Sequence, residues 1–549
     1  MTKGIVKRYF CLLGKVPLFL ILYSICVILS DVISLGIPIL SSRIIDMITL
    51  ENIGGTYQEI ILLAIFYFIQ NALTYGNNYF YASFFKNCYV DLHRKLIESI
   101  YQYDMKEQSD LPKAKIINTS NLDLISICEI PSHTFHIIME CFKLLFIIFI
   151  FMKQNIMLGI IVFFIHLFYL KRLDQINRKG AEHFKNQRMY ADRLTGLLAQ
   201  ILNGLKDIKE LNLIPSLNKK LEKERKNWKH QYFLRRKCIM RKKSLTIIIV
   251  QLGKLGLYVF LIGEVFSKSI TIGTLLLLIS YYEKMTTSVT NIMEYSMDLL
   301  DEEVSFERIE GLLKMKPEKK DRKGSPMSLE HPNICFQNVS FSYRKKIVLK
   351  NVSMNIPFGQ ITVLTGTNGV GKTTILNLIV REIEVNKGKI FLSGKRIETY
   401  DLESYLNEIS IVTQDPFLFN MSIKENFSMV NKSHQEQIEI CKKIGLHDMI
   451  MKLPNGYHTT LKEFATNLSG GQKQLLALGR ALMKKSKILL LDEFTSSLDK
   501  ETTEKMISIL QGIKEEYLIL IIAHDERVIE IADTVFRLEK GKIRKIEKK

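Results

Sequence analysis

Cysteine and tryptophan are scarce in this sequence, which has eight cysteines and one tryptophan among 549 residues. The cysteines are scattered and no two are spaced as Cys-x-x-Cys, so neither a cysteine zinc site nor a disulfide framework is predicted. Two of them, Cys26 and Cys141, fall in apolar runs and are interpreted as small apolar residues. No internal repeat and no cleavable signal sequence is found. Small disulfide-stabilised and repeat-built classes are therefore excluded.

The most informative segment that is present is a glycine-rich loop, Gly366 to Thr374. It lies between an apolar run at 361–365 and a helix-like run at 375–380. Glycines allow successive N–H groups to point inward, and the helix N-terminus adds positive partial charge, so such a loop binds phosphate. Lys372 can reach the outer phosphates and the Thr373 hydroxyl can hold Mg²⁺. The loop predicts binding of ATP or GTP.

Two adjacent carboxylates support this prediction. The apolar run 488–491 reads as a buried strand and ends in Asp492 and Glu493. Asp492 is placed to hold Mg²⁺ through water, and Glu493 to polarise an attacking water. The sequence therefore provides a magnesium partner and a candidate general base.

Four more short motifs accompany the loop and the carboxylates. They are Leu468-Ser-Gly-Gly-Gln472, Ser496-Ser-Leu-Asp499, Ile521-Ile-Ala-His524 and Ile411-Val-Thr-Gln414. In their order and spacing, the motifs between Phe336 and Lys549 resemble the nucleotide-binding domain of ABC transporters. The signature beginning at Leu468 is followed by a helix-like run, so its free N–H groups offer a second phosphate site.

The resemblance implies ATP and Mg²⁺ as cofactors and gives each motif residue a role. Tyr343 would stack on adenine, His524 would hold the γ-phosphate, and Asp499 would order the facing phosphate loop. Gln414 would touch Mg²⁺ and sense the membrane domain, and Glu493 would be the general base. The nucleotide contacts implied in the loop and the signature are Gly366, Asn368, Gly369, Gly371, Lys372, Thr373, Thr374, Ser469, Gly470, Gly471 and Gln472.

The N-terminal half concentrates the apolar residues, which make up 47% of the chain. Candidate membrane spans of roughly 20 residues each can be placed there, although three of them are short. They are Leu18 to Leu40, Ile60 to Phe84, Ile137 to Phe151, Met157 to Leu170, Leu245 to Val265 and Ile272 to Tyr282. Six spans are predicted.

The distribution of basic residues predicts the orientation. Lysine and arginine are dense before the first span, after the second span and between 171 and 243, whereas the opposite connections carry few. Basic loops remain in the cytoplasm, so both termini and the nucleotide-binding domain are expected inside. Much of the excess behind the net charge of +20 lies in these juxtamembrane loops, and we assign it to topology and to contact with anionic lipid, because no nucleic-acid motif accompanies it.

The long helix-like connections between spans two and three and between spans four and five resemble the six-helix exporter fold. The predicted architecture is a multidomain membrane protein with an all-α six-helix transmembrane domain of the type IV exporter kind and an α/β P-loop NTPase domain. The boundaries are 1–313 for the membrane domain, 314–332 for a linker and 333–549 for the nucleotide-binding domain. One membrane half and one nucleotide half make a half-transporter, so a homodimer, or a dimer with a related half-transporter, is expected in the plasma membrane.

The predicted function is ATP-driven export of an amphipathic peptide, lipid or drug-like molecule. An importer built on the exporter fold, for example for a metal chelate, and an ATP-linked membrane sensor are the alternatives. Ionisable groups within spans suggest a substrate path, and Lys143 or Lys254 is the candidate for lining it. Internal ion pairs or snorkelling to the interface would equally explain these two lysines.

Overall fold

The computed structural model describes residues 8–9, 17–101, 113–314, 330–343, 346–430, 433–495 and 498–546, without the side chains of 114, 169–170, 172–181, 238–239, 241–243, 245–246 and 249. The chain divides into two compact units, one within 1–316 and the other within 317–549. The central part of the predicted linker, 315–329, and Ser496 lie outside the described residues, as do some side chains of the fourth and fifth predicted spans.

The described residues of the N-terminal unit fold into helices and the short turns that join them. Its helices are α1 (Leu18–Thr49), α2 (Ile53–Tyr101), α3 (Lys113–Asn118), a π-helical turn (Thr119–Asp123), α4 (Leu124–Cys128), α5 (Ile130–Gln154), α6 (Ile156–Asn203), α7 (Leu205–Glu210), α8 (Ile214–Phe266) and α9 (Ile272–Leu313).

The predicted spans lie within the six long helices α1, α2, α5, α6, α8 and α9. Among the described residues, α1, α2 and the run Lys115–Gln154 are long and apolar enough to cross a membrane, and Ile156–Phe168 is a shorter apolar helix. Helices as long as α2, with 49 residues, extend well beyond the roughly 20 residues that span a bilayer. The helical membrane domain that the sequence predicts is confirmed.

Two apolar clusters form the interior of this unit. One joins α5, α6, α8 and α9 around Ile147, Phe151, Leu261 and Tyr282. The other joins α1, α2, α4 and the C-terminal half of α9, and includes Phe84, Ile127 and Phe306. Within the bilayer, lipid tails are as apolar as these side chains, so close van der Waals packing between helices, and not removal from water, fixes which face of each long helix points inward.

The C-terminal unit is built on two sheets. Its strands are β1 (Ile334–Tyr343), β2 (Lys346–Ile356), β3 (Ile361–Thr365), β4 (Lys387–Leu392), β5 (Lys395–Arg396), β6 (Ile409–Val412), β7 (Ile488–Asp492), β8 (Leu518–Ile522), β9 (Thr534–Glu539) and β10 (Lys542–Ile546). Its helices are α10 (Lys372–Ile379), α11 (Leu402–Asn407), α12 (Ile423–Ser428), α13 (His434–Lys443), α14 (His447–Met451), α15 (Gly470–Met483), α16 (Lys500–Ile513) and α17 (Glu526–Glu530).

The larger sheet has the order β10-β9-β3-β8-β7-β6, and the smaller antiparallel sheet has the order β2-β1-β4-β5. Strands β6, β7, β8, β3 and β9 are parallel, with Leu490 paired to Leu520 and Val363 to Ile521. Parallel strands buried on both faces need continuous apolar runs, and 488–491 and 518–522 are such runs. Ligands of open parallel sheets bind beyond the carboxyl ends of the strands, where β3 and β7 place the phosphate loop and the two carboxylates.

Candidate active site

The phosphate loop connects β3 to α10 and depends on glycine at two positions. Gly366 has φ 153° and Gly371 has φ 114°, values that residues with a Cβ rarely adopt. A Cβ at Gly366 would also collide with the carbonyl oxygen of Leu538. The loop therefore passes close to β9 and turns directly into the N-terminus of α10, which begins at Lys372.

Three charged or titratable side chains converge on this loop. The Lys372 side chain is buried, and its Nζ donates to the Gly366 carbonyl oxygen at 2.7 Å and contacts His524 Nε2. Lys372 Nζ lies 3.3 Å from Glu493 Oε1, and His524 Nε2 lies 3.6 Å from the same oxygen. A nucleotide phosphate, a water and a base can therefore be held within one small volume.

A hydroxyl and a carboxylate meet beside Lys372. Thr373 Oγ1 donates to Asp492 Oδ2 at 3.2 Å. Burial raises the pKa of Asp492, an effect that the Thr373 hydrogen bond opposes. Hard oxygen ligands of this kind suit Mg²⁺, which commonly binds one or two protein oxygens together with substrate phosphates and water. The residues present fit a magnesium ion at this position.

One cleft of about 470 Å³ collects most of the predicted nucleotide residues. Its lining includes Tyr343, Asn368, Gly369, Gly371, Lys372, Thr373, Thr374, Gln414 and Glu493. Tyr343 is 46% exposed, and its ring lies at 87° to that of Phe341, so nearly half of the residue is accessible to a nucleotide base. The Gln414 carbonyl oxygen accepts a hydrogen bond of 2.5 Å from Gln474 Nε2 on α15.

The signature lies at the start of α15. Ser469 Oγ accepts from the Gln472 N–H at 3.2 Å, and the Ser469 N–H donates to Gln472 Oε1 at 2.9 Å, which together form a capping box. Ser469 and Gly470 are exposed. Among the described residues that line the cleft, none comes from 469–472 or from Asp499.

Asp499 is the N-cap of α16. Its Oδ1 accepts from the Thr502 N–H at 2.7 Å, and this bond lowers the pKa of the Asp499 carboxyl. The structure thus brings together the loop, Tyr343, Gln414 and Glu493, and gives Ser469 and Asp499 separate helix-capping positions.

Sequence reasoning missed two residues of the cleft and one backbone feature. Lys346 and Val348, from the strand that follows Tyr343, also line the cleft. Their proximity to a predicted stacking aromatic was the available signal. Glu493 has φ 44°, a left-handed conformation uncommon for residues other than glycine, which turns the chain immediately after β7.

The two lysines considered for a substrate path both form ion pairs. Lys143 Nζ lies 2.9 Å from Glu140 Oε1 and 3.2 Å from Asp31 Oδ1, and its side chain is largely buried. Lys254 Nζ lies 2.5 Å from Glu283 Oε1. These contacts are those of the ion-pair alternative.

Comparison with known proteins identifies the class. The model of the ABC transporter transmembrane region matches residues 20–289, and the ABC transporter model matches residues 349–496. Together these two models match most of the chain, which therefore belongs to the ABC transporter family. It is an exporter-type half-transporter, an integral membrane protein that binds ATP and couples its hydrolysis to transport.

The relatives match along nearly their whole length. An ATP-dependent lipid A-core flippase of Syntrophus aciditrophicus (strain SB) is 27% identical, over 94% of this chain and 87% of the relative. A putative multidrug export ATP-binding/permease protein, YgaD, of Bacillus subtilis (strain 168) is 24% identical, over 98% and 95%. The solved structure of a bacterial Atm1-family ABC exporter with ATP bound has a TM-score of 0.85 at 20% identity, covering 98% of this chain and 95% of that one, which shows the exporter fold.

Proposed function

We propose that this chain exports an amphipathic compound across the plasma membrane by alternating access, as a dimer of two copies. The observation that carries the proposal is the division of the ATP-site residues. The loop, Tyr343, Gln414 and Glu493 line one cleft, whereas the exposed signature at Ser469 lies outside its described lining. A second copy facing the first would supply the signature to each cleft, and ATP would join the two domains.

The proposed chemistry assigns one task to each group. The loop N–H groups and Lys372 hold the phosphates, and Tyr343 stacks on adenine. Thr373 and Gln414 would hold Mg²⁺, with Asp492 acting through water, and the ion would draw charge from the γ-phosphate. Glu493 orients and deprotonates the attacking water, and His524 holds the γ-phosphate through the nitrogen that lies 3.6 Å from Glu493.

The exposed helix end at Ser469 is suited to a phosphate from another copy. Helix α15 has 14 residues, so its first N–H groups carry a full dipole end, and Gly470 leaves them uncovered. Its own serine cap holds the Gln472 N–H and leaves the preceding N–H groups of the first turn for an anion.

An apolar cleft in the membrane unit supports the proposal of an amphipathic substrate. The cleft measures about 360 Å³, and its lining includes Leu158 and Val162 of α6, Gly253 and Gly256 of α8 and Tyr282 of α9. It is suited to an acyl chain or another apolar group. The names of the relatives mention a lipid and multidrug export, so a lipid-like or drug-like amphipath is the proposed cargo. The basic juxtamembrane loops support a cytoplasmic position for both termini.

Transport in inside-out vesicles tests this proposal. We expect a fluorescent lipid or drug-like amphipath to accumulate inside the vesicles when ATP is added. The matched control is Glu493→Gln, which should bind ATP without accumulation. ATP hydrolysis with no accumulation of any tested amphipath would support the sensor alternative, and outward movement from loaded vesicles would support the importer.

A further inference from the structure

A histidine between two glutamates joins α5 to α9 in the membrane unit. His133 Nδ1 lies 2.6 Å from Glu302 Oε1, and His133 Nε2 lies 3.6 Å from Glu129 Oε2. Glu129 is the N-cap of α5, one helical turn before His133, and Glu302 comes from α9. One ligand atom from each of the three residues lies within 4.8 Å of the other two.

We propose that Glu129, His133 and Glu302 bind a divalent transition-metal ion, for which Zn²⁺ is the appropriate probe. Imidazole with two carboxylates is a ligand set that first-row divalent metals accept, with water completing the coordination. The spacing of Glu129 and His133, four residues apart, puts both side chains on one helix face. The ion would bind one ring nitrogen of His133, so the carboxylate that now faces the other ring nitrogen would turn toward the ion. The site requires no cysteine.

The buried carboxylate of Glu302 provides independent support. Its side chain is 5% exposed, and Oε2 has no hydrogen-bond partner among the described residues. A buried polar atom without a partner is costly, and a buried charge without compensation costs more. Oε2 belongs to the same carboxylate that contacts His133, so a metal ion at this site would supply the missing partner.

The local balance of charge also favours a cation. Three carboxylates, those of Glu129, Asp298 and Glu302, act electrostatically on His133. The groups that act electrostatically on Glu302 include one cation, His133, and two carboxylates, Asp298 and Glu129. Arg235 also acts on Asp298, which leaves Glu129 and Glu302 facing the one imidazole, and a divalent ion bound through that imidazole would compensate both carboxylates.

An aromatic ring packed against His133 holds the imidazole in place. The Tyr295 ring of α9 stacks on His133, with centroids 5.4 Å apart and planes at 28°. Tyr295 also stacks on His136, one turn further along α5, with centroids 5.1 Å apart. Fixing the orientation of a ligand histidine raises its affinity for metal. His136 Nε2 is hydrogen-bonded to the Tyr23 hydroxyl at 2.7 Å and is not part of the three-residue cluster, which makes it a matched control.

The test is Zn²⁺ binding by the full-length chain in lipid nanodiscs after chelator treatment. We expect one ion per chain, with affinity reduced about tenfold or more in His133→Gln and Glu302→Gln and unchanged in His136→Gln. X-ray absorption at the zinc edge of the wild type should show one imidazole and oxygen ligands without sulfur. ATP hydrolysis by each variant is the folding control.

Two results would overturn the proposal. One is equal Zn²⁺ affinity in the wild type and all three variants, which would leave His133 as an ion-pair partner only. The other is sulfur in the zinc coordination shell, which would move the ion to cysteines. Since the measurement needs no transport, failure of the export proposal would leave its outcome unaffected.

Discussion

Complementation between two inactive chains tests the shared ATP site most directly. The first variant, Lys372→Met, removes the phosphate-binding ammonium and replaces a side chain that is 5% exposed with an apolar one of similar length. The second, Ser469→Asp, keeps a good N-cap for α15 but places a negative charge where the facing γ-phosphate would bind. Each variant alone would form dimers in which both sites are damaged, so each should be inactive.

The facing arrangement predicts how much ATPase activity returns when the two variants are expressed together. A mixed dimer has one site with both defects and one site whose loop and signature are both intact. Random assembly makes half of the dimers mixed, each with one working site of two, so the ATPase rate should recover to about a quarter of the wild-type value. If a single working site cannot turn over alone, the recovery falls toward zero.

The assay is ATP hydrolysis after both chains are expressed together and reconstituted in nanodiscs. A matched control is Ser433→Asp, because Ser433 caps α13 in the same way and is outside the proposed site. That control should have the wild-type rate. Substantial activity of Lys372→Met or Ser469→Asp alone would refute the assigned roles. The arrangement is decided with mixed dimers isolated through two different tags. Inactive Lys372→Met/Ser469→Asp mixed dimers, together with active mixed dimers of wild type and a double variant, would refute the facing arrangement, because that arrangement leaves a defect at both sites of the second kind of dimer.

Three further predictions concern single positions. Glu493→Gln should lower the ATPase rate by a factor of about 10² to 10⁴, a rise of about 2.7 to 5.5 kcal/mol in the activation free energy, with ATP binding retained. The control Glu539→Gln, which breaks an exposed ion pair with Arg537, should be active. A Glu493→Gln rate above a tenth of the wild-type rate would contradict the base role. Gly256→Leu should fill the apolar cleft and abolish stimulation of ATP hydrolysis by lipid-like amphipaths. The control is Gly263→Leu on the same helix, where an added Cβ also has no atom within 4 Å, and its ATP hydrolysis should be stimulated as in the wild type. Folding lowers the pKa of Asp499, so its ionised carboxylate stabilises the folded state above the unfolded pKa of about 3.9, and this stabilisation is lost as the pH falls through the folded pKa. Thermal unfolding should show the stability difference between wild type and Asp499→Asn shrinking below about pH 4. A difference that does not depend on pH would contradict this prediction.

Local sequence patterns were sufficient for the elements that carry the nucleotide site. The loop at Gly366 follows a run of buried residues and precedes a short amphipathic helix, so its context is encoded within about 20 neighbouring residues. The apolar runs of β7 and β8 similarly predict buried parallel strands. The helical membrane domain followed from the length of the apolar runs, because a bilayer sets a minimum helix length. The nucleotide roles and the domain boundaries remain predictions.

Contacts between distant segments could not be obtained in this way. Lys372 and His524 are separated by 152 residues, and His133 and Glu302 by 169. The phosphate loop and His524 could be associated only through resemblance to a family, whereas no motif connects His133 to Glu302. Cysteine spacing was the signal considered for a zinc site, and it does not detect a site made of one histidine and two glutamates.

The positions of the two candidate sites imply different roles for them. In the proposed dimer the signature of a partner copy would complete the nucleotide cleft, so ATP would change the assembly each time it binds and leaves. The Glu129, His133 and Glu302 site lies within one unit and links the start of α5 to the C-terminal half of α9. A bound ion would hold these two helices together. Alternating access requires helices of the bundle to move relative to one another, so the ion would resist that movement. Zn²⁺ would thus act on the conformational step, while ATP-site substitutions act on hydrolysis, and the two kinds of variant can be told apart by measuring both quantities on the same preparations.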